Sequence, residues 1–173
     1  YPIQERDMQE VMMERAAALN PEAIAMGVRR QLKDYALARP PIPHVEQAAR
    51  RTFEPTIQIQ DDIRGPNGQL VAQAGTVLRP LSVVTIPGRW VFLDGLVPGH
   101  IAWAEHIAKQ DPGLHFILIR GDLQVISERL HSRVYLAYPT LLERFGIERV
   151  PAVVTQSAHH WVIDEVPVDY YAS

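Results

Sequence analysis

The chain of 173 residues contains no cysteine. That excludes disulfides and every reaction that needs a thiolate, in whatever compartment the protein works. Long apolar runs are missing too. No stretch approaches the ~18 consecutive apolar residues of a membrane span, so insertion into a bilayer is not expected. There is no basic excess either: the net charge is -3. A protein that binds nucleic acid directly carries a basic stripe to neutralise phosphates, and none is present. No charged-then-apolar leader opens the chain. Its first residue is Tyr1 rather than Met, which fits a processed exported protein and equally a trimmed one. Internal repeats and low-complexity segments are absent.

The apolar share, 47%, supplies a sizeable core. The length suits one domain, or one domain with an arm. Three textures follow one another. Residues 1–50 read as a helical arm. Asp7 and Glu10 have N-cap and N3 spacing, and Met8, Val11, Met12, Ala16 and Leu19 follow at helical intervals. Asn20-Pro21 restarts the pattern as N-cap and N1, with Ile24, Val28, Leu32 and Tyr35 as a second stripe. Pro40, Pro41 and Pro43 stop that helix and predict a stiff, extended segment. A short third helix is expected over His44 to Arg50.

Residues 51–88 read as a β-hairpin region. Ile57, Ile59 and Ile63 alternate, "GPNGQ" has turn chemistry, and a bulge is expected near Asp61-Asp62. Gly75 is expected at positive φ. From 89 to 173 strands and helices alternate: "RWVFLDG", "PGHIAWAEHIAKQ", "HFILIRG", "LQVISERL", "RVYLAY", "PTLLERFG", "VPAVVTQ" and "HHWVIDEVPV". Helical crossovers between apolar strands imply parallel pairing, and the last two strands read as an antiparallel hairpin. The fold class is α/β. The order resembles a thioredoxin-like domain, with Pro151 of "RVPAVVTQ" as the structural cis-proline candidate. It is a degenerate one, because Leu96-Val97-Pro98-Gly99 stands where the reactive thiols would be.

Several blocks in order resemble the TraW family of F-type conjugative type IV secretion systems. They are "YPIQERDMQEVM", "RRTFEPTIQIQDDIRGPNGQLVAQAGTVLRPL", "VFLDG" with "AWAEH", "FILIRG" and "LLERFGIERVPAVVTQ". The resemblance implies an exported, periplasmic, non-enzymatic protein needed for pilus and transfer-apparatus assembly. It also implies a TrbC-like thioredoxin-fold protein and a TraU-like protein as partners, among other secretion-system components. It carries over no catalytic residue and no cofactor.

The residues themselves leave three functions to weigh. An assembly protein would use the helical stripe as a docking face, and Met8, Met12, Val28, Leu32 and Tyr35 are the candidate contacts. The same stripe would serve equally to pack the arm onto its own β region. A thioredoxin-fold chaperone would hold an extended peptide, from pilin or a secretion component, beside Val150-Pro151. A cell-wall hydrolase would need converging carboxylates, for which Asp61, Asp94 and Glu105 are the available residues. No metal site is expected. His100 and His106 fall on different helix faces, and the adjacent His159 and His160 point oppositely in a strand.

Overall fold

The computed structural model describes residues 20–168. The first helical stripe, with Met8 and Met12, lies outside the described residues. Two compact units divide the chain, Tyr1–Tyr35 and Ala36–Ser173.

Helix α1, Pro21–Ala38, begins as its sequence predicts. Asn20 Oδ1 accepts the N–H groups of Glu22 at 3.0 Å and Ala23 at 3.3 Å, satisfying two of the donors that a helix start leaves open. Its stripe is solvent-exposed: Val28 is 58%, Leu32 42% and Tyr35 49% exposed.

The second unit is built on a six-stranded sheet. Its strands are β1 (Ala49–Phe53), β6 (Arg89–Leu93), β7 (Leu114–Leu118), β8 (Val134–Leu136), β9 (Ala152–Ser157) and β10 (His160–Glu165). Their order across the sheet is β1-β10-β9-β6-β7-β8. Strands β6, β7 and β8 are parallel, whereas β9, β10 and β1 add antiparallel on the other side of β6. The connections are α2 (Pro98–Gln110), α3 (Leu123–Leu130) and α4 (Pro139–Phe145). The α/β alternation read from the sequence is therefore observed, strand by strand, from 89 to 165.

The side-chain period of two explains why these strands are continuous apolar runs. Val91 and Leu93 face one core with Phe116, Leu118, Ile101 and Trp103. Phe92 faces the other with Ile117, Ile119, Phe145 and Trp161. Both faces are covered, so no position in β6 or β7 is left for a polar residue between Val91 and Leu93 or between Phe116 and Leu118. In the second core Phe145 stacks on Trp161 with ring centroids 4.5 Å apart, and Trp161 Nε1 donates to the Arg144 carbonyl at 3.0 Å.

Residues 55–88 form two short antiparallel ladders, one nested inside the other as the inner and outer parts of an interrupted hairpin. Strand β2 (Ile57–Gln58) pairs with β5 (Val77–Leu78), and β3 (Ile63–Arg64) pairs with β4 (Leu70–Ala72). The register shifts between Ile63 and Arg64, just after Asp62, whose Oδ1 accepts the Ala74 N–H at 2.9 Å. Gly68 and Gly75 take positive φ, 75° and 86°, where a Cβ would be strained.

The helix expected over His44 to Arg50 is not formed. Val45 donates its N–H to the Val150 carbonyl at 2.9 Å, and residues 49–53 are the edge strand β1 on β10. Main-chain groups that bond across the structure in this way cannot also close a helical turn. Edge strand β1 carries Arg50 and Arg51, which pair with Asp164 and Glu165 of β10. Charge of this kind discourages pairing with another chain.

Candidate functional site

In α/β sheets, sites gather where parallel strands end. At the carboxyl ends of β6 and β7 the chain places Asp94 and Arg120. Asp94 is fully buried, and its Oδ2 accepts Arg120 Nε at 2.9 Å. Its Oδ1 accepts the Leu96 N–H at 2.9 Å. Two glycines let the loops touch. A Cβ on Gly95 would lie 2.7 Å from the Arg120 carbonyl oxygen, and one on Gly121 would lie 2.9 Å from the Gly95 Cα. Gly121 also has a φ of +128°, a conformation that favours glycine.

Helix α2 opens with Val97 as N-cap and Pro98 at N1, without a side-chain cap. His100 follows in its first turn and is only 1% exposed. Its Nδ1 accepts the Asp94 N–H at 3.1 Å, which fixes the ring proton on Nε2. That proton is donated to His44 Nδ1 at 3.3 Å. Burial, and secondarily His44, push the His100 pKa down to about 4, while Asp94 opposes them. A neutral imidazole also suits the positive end of a helix.

His44 belongs to a strap, residues 36–45, made of the last turn of α1 and the extended segment after it, that crosses this end of the sheet. The strap is tied at both ends by main-chain bonds. Gly121 N–H donates to the Ala36 carbonyl at 3.2 Å. Val150 N–H donates to the Pro43 carbonyl at 3.0 Å, and the Val150 carbonyl accepts the Val45 N–H at 2.9 Å. His44 and Val150 thus form a parallel bridge. The next peptide, Val150–Pro151, is cis.

This geometry bears on each candidate residue. The Asp94 carboxylate and both ring nitrogens of His100 are engaged. Asp94 holds Arg120 and a backbone N–H, so it offers no free carboxylate. Glu105 is paired with Arg129 at 2.7 Å, and Asp61 is exposed in the loop before β3. His100 presents no lone pair to a metal, since Nδ1 is occupied and Nε2 is protonated. Among the described residues no three His, Cys, Asp or Glu side chains are grouped to hold a metal ion. The main-chain groups of Val150 that an extended peptide would use are already taken by the strap. Val28, Leu32 and Tyr35 stand on the exposed face of α1.

The sequence reading missed the strap's seat. His44 and His100 are 56 positions apart, and most of the bonds that seat the strap are main-chain. Only the proline run gave a signal, and it announced extension, not a destination.

Comparison with known proteins gives no matching family model and no matching solved structure. One curated relative, Protein TraW of Escherichia coli (strain K12), is 31% identical over 166 residues. The alignment covers 90% of this chain and 78% of that protein's length. At that identity and coverage, the chain belongs to the TraW family.

Proposed function

We propose that the protein is a non-enzymatic, periplasmic assembly factor that works by docking onto other secretion-system components. The TraW family belongs to conjugative type IV secretion and pilus assembly, and this chain shares that task. No described helix is long and apolar enough to cross a membrane. The reading takes residues 89–173 as a thioredoxin-like scaffold without its thiols. Its partners are a TrbC-like thioredoxin-fold protein and a TraU-like protein.

One observation carries the proposal. Ile24, Val28, Leu32 and Tyr35 recur on one side of α1, and all four are exposed. A row of large apolar side chains left in water on a helix is a docking face in search of a groove. The engaged carboxylate and imidazole of the buried cluster support a scaffold in place of a catalyst.

The test mixes the chain with its cognate TrbC-like and TraU-like proteins and follows co-elution. Binding at tens of micromolar or tighter is expected, weakened at least tenfold by Val28→Asp with Leu32→Asp. Absence of any complex between folded proteins at those concentrations would sink the idea.

A further inference from the structure

The parallel strands have a second end, opposite Asp94. There α2 runs into β7 and α3 runs into β8, and the two helix C-termini flank a cleft of about 260 Å³. Ala108, Phe116 and Leu130 supply its apolar lining. Glu105, Lys109, Asp111, Arg129 and His131 supply its charge and polarity.

These charges do not cancel. Arg129 Nε donates to Glu105 Oε1 at 2.7 Å. Asp111 accepts Arg89 on one oxygen at 3.0 Å and the Gly113 N–H on the other at 2.9 Å. Each acid therefore has its own arginine. Among the described residues, Lys109 and the His131 ring have neither an ion pair nor a hydrogen bond. A chain with a net charge of -3 thus presents an unmatched cation at this place.

Offsetting the helix dipoles accounts for Lys109 and Arg129, which stand in the last turns of α2 and α3. His131 needs another reason. It closes α3 in the left-handed conformation, with φ 48°. Its N–H donates to the Glu128 carbonyl, and the Ser132 N–H donates to the Ser127 carbonyl. Helix α4 closes by the same pattern, with Gly146 at φ 65°. Glycine takes that conformation freely, whereas a side chain there is strained. A histidine one turn earlier would oppose the dipole without the strain. Strain kept at a position is a sign that its side chain is in use.

The unmatched groups define what fits. A doubly charged phosphate calls for an arginine fork, and both forks beside the cleft are committed to acids. One ammonium and one imidazole N–H suit a single carboxylate. The volume is below the ~300–1,000 Å³ of drug-sized pockets, and the apolar lining favours a short hydrocarbon body.

We propose that this cleft binds a carboxylate carried on a short apolar body, with the anion between Lys109 and His131 and the hydrocarbon against Ala108, Phe116 and Leu130. Two sources have that chemistry: a free short-chain acid, and the C-terminal apolar residue of a polypeptide. The site shares no residue with α1, so it stands or falls independently of the docking proposed for that helix.

Four probes are titrated into the full chain: isovalerate, the peptide acetyl-Gly-Gly-Leu, its C-terminal amide, and inorganic phosphate. Amide NMR shifts of Lys109, His131 and Ser132 read affinity and locate binding. Isovalerate and the free peptide are expected to bind with millimolar affinity, and the peptide amide and phosphate at least tenfold more weakly. Tighter binding of the free peptide assigns a chain end as the source, and equal or weaker binding assigns a free acid. Lys109→Gln is expected to weaken isovalerate binding at least fivefold. His131→Gly separates use from shape: it is expected to raise the urea midpoint by removing strain, yet to weaken isovalerate binding at least fivefold. The proposal is overturned by equal binding of acid and amide, by phosphate binding as tight as isovalerate, or by shifts that are absent or lie elsewhere. Unchanged affinity or a lowered midpoint in His131→Gly would overturn it as well.

Discussion

Acid should weaken this fold through one side chain, His100. In the folded protein its ring is buried and neutral, with a pKa of about 4 against an ordinary 6.5. Unfolding exposes the ring and lets it take a proton. Between those two values the unfolded chain binds more protons than the folded one, so stability rises with pH and is lost as pH falls. The contribution is fully present above about pH 6.5 and declines toward pH 4. At pH 5 the unfolded ring is about 1.5 pH units below its pKa while the folded ring remains mostly neutral, which corresponds to about 2 kcal/mol lost relative to neutral pH. The groups facing the ring are the Asp94 carboxylate, already held by Arg120, and His44. Urea unfolding at pH 7.5 and pH 5.0, followed by tryptophan fluorescence, measures the effect. His100→Gln cannot titrate. It starts less stable at pH 7.5 and should lose about 2 kcal/mol less than the unaltered chain on going to pH 5.0. An identical pH dependence in the two proteins would refute the assignment of a buried, neutral His100.

Other perturbations have comparably direct outcomes. Asp94→Asn leaves Arg120 without its carboxylate and should cost about 2–3 kcal/mol, below the full value for a buried pair because Arg120 keeps some solvent; denaturant midpoints read it. Gly121→Ala combines a positive φ with a 2.9 Å approach to Gly95. A loss of about 2 kcal/mol or more is expected, and a neutral result would show that the two loops can part. Phe145→Ala removes the ring stacked on Trp161 and should cost about 3–5 kcal/mol with a change in tryptophan emission. By contrast Val28→Asp, on the exposed face of α1, should shift the unfolding midpoint by less than about 0.5 kcal/mol.

The sequence was legible where the signal is local. The run "WVFLD" encodes a strand buried on both faces, and Asn20-Pro21 encodes a helix start, because each needs only its own neighbours to be recognised. The α/β order from 89 to 165 follows from such signals. Legibility failed at His44 to Arg50. That stretch has an acceptable helical pattern, but its main-chain groups find better partners at Val150 and on β10, and no periodicity reports a bond across the fold. The buried cluster was half visible. Asp94 stands out as an acid ending an apolar strand, yet its reach to Arg120 and the His44–His100 contact depend on loops meeting at two glycines.

The strand pairing at the sheet edge carries a consequence for how the protein acquires its shape. Arg50 and Asp164, joined across β1 and β10, are 114 positions apart. The seat of the strap, at Val150, is also made late in the chain. A polypeptide that emerges N-terminus first, from a ribosome or a translocation channel, therefore carries its strap and β1 unpaired until nearly all of it has appeared. Contacts this distant in sequence slow folding and lengthen the exposure of sticky segments. The prolines of the strap and the arginines of β1 sit on those waiting stretches, where stiffness and charge keep them apart from other chains until their partners arrive.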